Sequence, residues 1–247
     1  MATVSLPTTS QLRAVAADRG ISWLTEGFGY FSKDALAWIG VTILLFVITV
    51  VLTFVPFIGS LAVQLLTPVF IAGIMLGCKA REQGGEFTVT HLFAGFGEQT
   101  GQLVVLGLLY LAGIIALTVL VVIMVVFGAG GIGLLEKLET GDVSTLTNNL
   151  QFVLLVVLVI MALYIPLLMA IWFAPALVVL RNASAVDAMK LSFHGCLLNI
   201  IPFLLYGLVG LVLSIIAMIP MGLGLLVLLP VVMASIYAGY RDIYPEQ

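Results

Sequence analysis

Six stretches of this chain run for about twenty residues each without a formal charge, and that property decides most of what the chain can become. A helix needs about twenty apolar residues to cross the roughly 30 Å hydrocarbon core of a bilayer. The runs are Ala35–Val55, Phe57–Gly77, Gln102–Phe127, Leu150–Leu180, Pro202–Ile219 and Gly222–Tyr240. With 62% of the residues hydrophobic and 9% charged, against about a quarter charged in an average soluble domain, too little polar surface exists to cover a water-facing fold. The sequence therefore predicts an all-α polytopic membrane protein with six transmembrane helices. Residues 1–20 form a polar cytoplasmic segment, and 21–247 a single membrane domain. That segment has no apolar core of its own, so it does not read as a secretory signal, and the first run is expected to act as an uncleaved insertion signal.

The linkers arrange the spans. Runs one and two are joined by "VPFIGS" and runs five and six by "IPMGLG", uncharged Pro/Gly turns that predict tight helical hairpins. The fourth run carries Pro166 and Pro175 and is expected to kink, or to leave the hydrocarbon in its last turns. Six spans place both termini on one side, with Arg13, Arg19, Lys33, Lys79, Arg81, Arg181, Lys190 and Arg241; Lys137 alone falls on the other. An excess of Lys and Arg marks the cytoplasmic side, so both termini are expected in the cytoplasm of a bacterial inner-membrane protein. The net charge of −3 gives no reason to expect a nucleic-acid partner.

One phrase is written twice. "PVFIAGIMLGCK" from Pro68 and "PVVMASIYAGYR" from Pro230 share five of twelve positions, and both end on a basic residue. A weaker copy, "PLLMAIWFAP" from Pro166, aligns Ala170 with Ala72 and Ala234. The chain thus reads as three related hairpins in units of about 21–81, 88–181 and 184–241. Each unit consists of an interfacial amphipathic helix, a span, a turn and a proline-containing span. Pro68, Pro166 and Pro230 are expected kinks. Gly73 and Gly77, matched by Ser235 and Gly239, form a small-xxx-small ridge on which helices can pack closely. In the interfacial stretches, Trp23, Phe28, Phe31, Phe93, Phe96 and Phe193 are expected to anchor a collar at the membrane surface. Before span five, Ser184 with Asp187 three residues on predicts a capped helix start. Asp187, Lys190 and His194 share its polar face.

Ionisable side chains inside a membrane usually carry protons, ions or catalysis, and none of these six runs contains one. Gln64, Thr67, Thr118 and Ser214 are polar residues within spans, where a bond to a neighbouring carbonyl is the commoner use. Gln64 and Thr67 remain a candidate intramembrane polar site, because Gln64 lies four residues before Pro68, beside the carbonyl that the proline leaves free. Cys78, His91, His194 and Cys196 lack the spacing of a zinc motif, and two cysteines outside any CxxC pair imply no disulfide framework. "GAGGIG", from Gly128 to Gly133, fits G-x-G-x-x-G in letters but follows a membrane span rather than a strand, so it reads as a loop before the amphipathic "LLEKLE". "NAS" at Asn182 would be a glycosylation acceptor only on the opposite side of the membrane. No cofactor is expected.

Several of these stretches, "QLRAVAADRGISWLTEGFGYFSKDALAWIGVTILLF", "LTPVFIAGIMLGCKA", "HLFAGF", "WFAPALVVL" and "AMKLSFHGCLLNIIPFLLYGL", resemble an uncharacterised family of bacterial inner-membrane proteins labelled BPSS-type. The resemblance runs from about Gln11 to Tyr244. In outline the chain is also similar to the membrane domain of some glycerophosphodiester phosphodiesterases. The resemblance implies six spans in the inner membrane and carries no activity with it. The function expected is non-enzymatic: an accessory or scaffold protein that binds membrane lipids, another membrane protein or itself. The alternative is a transporter or channel for a neutral or apolar solute.

Overall fold

A computed structural model describes residues 11–56, 58–127 and 150–245, and among them the chain is helical without a strand. Its helices are α1 (Arg19–Lys33), α2 (Ala35–Thr53), α3 (Ile58–Glu82), α4 (Thr100–Phe127), α5 (Leu150–Trp172), α6 (Ala174–Arg181), α7 (Ala185–Leu198), α8 (Ile200–Met218) and α9 (Leu225–Ile243), with a 3₁₀ turn at Val89–Phe93. Six segments are long and apolar enough to cross a membrane: α2, α3, α4, α5 continued by α6, α8 and α9. Their free faces carry apolar side chains such as Phe46, Leu204 and Ile215, which lipid can solvate and water cannot. The protein is an all-α polytopic membrane protein. The Gly128–Gly133 loop, Lys137 and the "LLEKLE" stretch lie outside the described residues.

The chain divides into two compact units, one of residues 1–108 with 169–247 and one of Leu109–Leu168. The second comprises the later part of α4 and most of α5. There Gly113 lies against Leu167.

In the first unit the amphipathic elements are packed onto spanning helices. Helix α1 crosses α8 and α9, the 3₁₀ turn lies on α3, and α7 lies on α6. The crossing of α1 is close because Gly27 has no side chain: a methyl there would overlap the Val231 carbonyl of α9. Gly95, just after the 3₁₀ turn, meets Val69 of α3 in the same manner. Val69 and Val231 occupy the same position in the repeated phrase. Gly73, Gly77, Ser235 and Gly239 are all buried, and the ridge they form is used inside the molecule. Gly73 receives the His91 and Leu92 carbonyls, while Gly239 faces the rings of Trp23 and Phe173.

Two expectations change in detail. The stretch before the third span forms a five-residue 3₁₀ turn rather than an α-helix, with Thr88 and His91 closing a capping box. The break in the fourth span falls at Phe173. There the Ser192 hydroxyl of α7 accepts the Phe173 N–H at 2.9 Å and donates to the Met169 carbonyl at 2.6 Å, occupying the place of the helical bond between them. Pro175 has no N–H to give the Ile171 carbonyl, and the two breaks together separate α5 from α6.

The copy register also differs. Ala72, Ala174 and Ala234 are each 0% exposed, whereas Ala170 is half-buried. Each of those three alanines stands seven residues before a basic residue: Lys79, Arg181 and Arg241. Pro68 and Pro230 are buried, while Pro166 faces outward. The letters around Pro166 matched because apolar helices share a small alphabet. Burial at a helix crossing, which admits only a small side chain, selects Ala174 instead.

Candidate functional site: a charged end and an apolar groove

The polar chemistry of the first unit gathers at one end, where the C-termini of α3, α6 and α9 meet the N-termini of α1 and α2. Asp242 accepts from Trp23 Nε1 at 2.7 Å and from Arg19 Nε at 2.6 Å, and Arg19 Nη2 reaches Glu26 Oε1 at 2.6 Å. Glu26 also pairs with Arg241 at 3.3 Å, and Arg241 pairs in turn with Glu82, which accepts from the Tyr237 hydroxyl as well. This chain of alternating charges ties α1 to the last turns of α9 and α3. Its bonds to Asp242 and Glu26 hold the Arg19 guanidinium protonated above its ordinary range. Burial pushes the Tyr30 phenol, beside Arg241, up to about 12. A second link joins Arg81 Nε to Asp34 at 3.0 Å and closes the loop after α3 through Phe87 N–H. Asn199 pins the N-terminal segment, accepting from Val15 N and donating to the Arg13 carbonyl.

Arg181 differs from its neighbours. It is 4% exposed, and its Nε donates to Tyr240 Oη at 3.0 Å while Nη2 donates to the Tyr244 and Pro245 carbonyls at 3.0 and 2.7 Å. Among the described residues it has no carboxylate partner. It lines a cavity of about 150 Å³ with Lys79, Glu82, Tyr237, Tyr240 and Arg241. A more open cleft of about 450 Å³ adjoins it through Glu82 and Arg241, lined further by Glu26, Tyr30, Lys33 and Arg81.

At membrane depth a groove of about 660 Å³ runs between α2, α3 and α9, lined by residues such as Ile48, Phe70, Ile71, Met75, Leu226 and Met233. Threonines 42, 49 and 67 contribute the hydroxyls of its wall. Two of these are already committed: Thr42 to the Trp38 carbonyl at 3.0 Å and Thr67 to the Val63 carbonyl at 2.7 Å.

The residues singled out from sequence fall in three places. Thr67 lines the groove, whereas Gln64 is half-buried on α3 outside its lining, its carbonyl facing Gly107 of α4. Thr118 and Ser214 bond the Ile114 and Gly210 carbonyls of their own helices. Of the expected anchors, Trp23 and Phe31 are core residues at 1% and 7% exposure; Phe28, Phe93 and Phe96 are exposed and Phe193 is half-buried. Trp23 is drawn inward because its ring packs on Phe203 and Tyr206 while its N–H finds Asp242. Cys78 and Cys196 are both buried, and burial pushes the Cys196 thiol up to about 12. Ser184 caps α7 as expected, accepting from Asp187 N–H. Asn182 takes a left-handed conformation that ends α6.

Sequence reasoning passed over Arg181, Tyr237, Tyr240 and Tyr244 as members of one cavity. The available signal was the basic residue, Lys79 or Arg241, that closes the two full copies of the repeated phrase.

The chain is 28% identical over 231 residues to a "Probable inner membrane protein" of Burkholderia thailandensis, an alignment covering 92% of this chain and 84% of that relative. No protein-family model matches the chain, and no solved structure matches it.

Proposed function

We propose that the protein is a non-enzymatic accessory or scaffold protein of the bacterial inner membrane that binds membrane lipid, with both termini in the cytoplasm. The Burkholderia relative supports the location. The orientation rests on the excess of basic residues at the charged end. The observation that carries the lipid reading is the groove between α2, α3 and α9. It is apolar along its length, and its Thr42 and Thr67 hydroxyls are occupied by their own helices. Such a wall suits an acyl chain and offers a hydrated solute little to replace its water. The transporter alternative relied on a polar path past Gln64, Thr67 and Pro166. Only Thr67 of these lines the groove, and its hydroxyl is committed. The small-residue ridges are covered by the collar elements, so contacts with lipid or with a membrane partner fall to the groove and the outward apolar faces.

The test is lipid analysis after purification in a mild detergent. Native mass spectrometry should find phospholipid retained by the wild type and lost from a variant in which Ile48→Trp and Leu226→Trp fill the groove. Equal lipid retention in the two proteins would remove the groove from the reading. If instead Gln64→Leu abolished uptake of a solute at normal expression, the transporter reading would replace it.

A further inference from the structure

We infer that the cavity between the ends of α3, α6 and α9 is a binding site for a small phosphate-class anion, held by Lys79 and Arg181. Arg181 is a buried cation with no carboxylate partner among the described residues. Three of its five N–H donors go to Tyr240 and to the Tyr244 and Pro245 carbonyls, and its Nη1 has no partner among the described residues. Lys79, also in the lining, likewise has no carboxylate partner among them. The third cation, Arg241, is committed to Glu26 and Glu82, and Tyr237 caps Glu82, so the one carboxylate of the lining is already engaged. Counting the lining groups, three cations less one carboxylate leave a formal charge of +2 in about 150 Å³. The space is of a size for a cluster of waters or a small tetrahedral oxyanion. Guanidinium and ammonium groups with unused donors are the recognition chemistry of phosphate oxygens.

The same chemistry is presented by free phosphate and by the headgroup of a phosphomonoester lipid, and the experiment separates the two. Wild-type protein is titrated with inorganic phosphate in detergent, read by thermal shift and native mass spectrometry. In parallel it is placed in nanodiscs of phosphatidylcholine with or without phosphatidic acid. A saturable response in either arm is expected, in the first for free phosphate and in the second alone for a lipid headgroup. Lys79→Gln should weaken it on the order of tenfold or more, as the loss of a charged hydrogen bond does. Lys190→Gln, an exposed cation on α7 outside the cavity, should leave it unchanged. Arg181→Gln should abolish the response. Because Arg181 also holds the C-terminal carbonyls, Lys79→Gln is the deciding variant. No saturable response in either arm, or one that Lys79→Gln leaves intact, overturns the inference. The groove variant Leu226→Trp should keep its response to inorganic phosphate, so this site can fail or stand apart from the lipid groove.

Discussion

Gly27→Ala sets the packing of the amphipathic helix against the bilayer-spanning core in a form that can be measured. In most helices the change would stabilise by about 0.5–1 kcal/mol, because alanine loses less backbone freedom than glycine. Here the new methyl would overlap the Val231 carbonyl and crowd the Ser235 nitrogen, both backbone atoms of α9. Backbone in a helix cannot rotate aside as a side chain can. Overpacking costs typically about 1–3 kcal/mol, and this site belongs at the upper end. Gly29, two residues along the same helix, provides the control: nothing lies within 4 Å of a methyl placed there. Gly29→Ala should therefore gain the propensity term alone. The two variants have the same composition and should differ by about 3 kcal/mol, or about 6–12 °C in midpoint at the 2–4 °C per kcal/mol of a chain this size. Thermal unfolding in dodecyl maltoside, followed by tryptophan fluorescence, has a reporter four residues away in Trp23. Equal midpoints, or a Gly27→Ala midpoint above that of Gly29→Ala, would refute the close crossing of α1 and α9.

Ser192→Ala should destabilise by about 2–3 kcal/mol, since it leaves the Phe173 N–H and Met169 carbonyl without their shared partner, and Ser192→Thr should recover part of the loss; a variant as stable as the wild type in the same melt would show that α5 and α6 close into one helix without the hydroxyl. Cys196 should react with maleimide at pH 8 at least ~100-fold more slowly in the native protein than in dodecyl sulfate, because burial favours the neutral thiol and holds its pKa up at about 12; comparable rates would place it at an open surface. Asp242→Asn removes the negative charge that Arg19 pairs with beside Trp23, so its effect should be a lower midpoint with a blunted dependence on salt, and an unchanged midpoint would mean that the charge chain does not hold α1 in place.

What could be read from the sequence was whatever the bilayer enforces segment by segment. A spanning helix must satisfy its own backbone and present apolar side chains to lipid along its whole length. Ala35–Val55 and Gln102–Phe127 therefore announce themselves without knowledge of any neighbour. The gathering of Arg19, Arg81, Arg181 and Arg241 at one end follows from the same rule, because none of them can rest in hydrocarbon unpaired.

Tertiary structure decided everything that depends on which helix lies beside which. Trp23 and Phe31 carry the same letters as surface anchors, and only the crossing of α1 over α8 and α9 makes them core. Pro166 looked equivalent to Pro68 and Pro230. Equivalence in a packed bundle is set by which small residue sits at a crossing, and that residue is Ala174 rather than Ala170. Ser192 gave no hint that its hydroxyl would enter another helix's hydrogen-bond ladder 19 residues back in the chain. Lys79, Arg181 and Arg241 lie up to 162 residues apart and become one cavity only when three helices end together. Hydropathy is a property of a single segment, whereas a binding site is a property of their convergence.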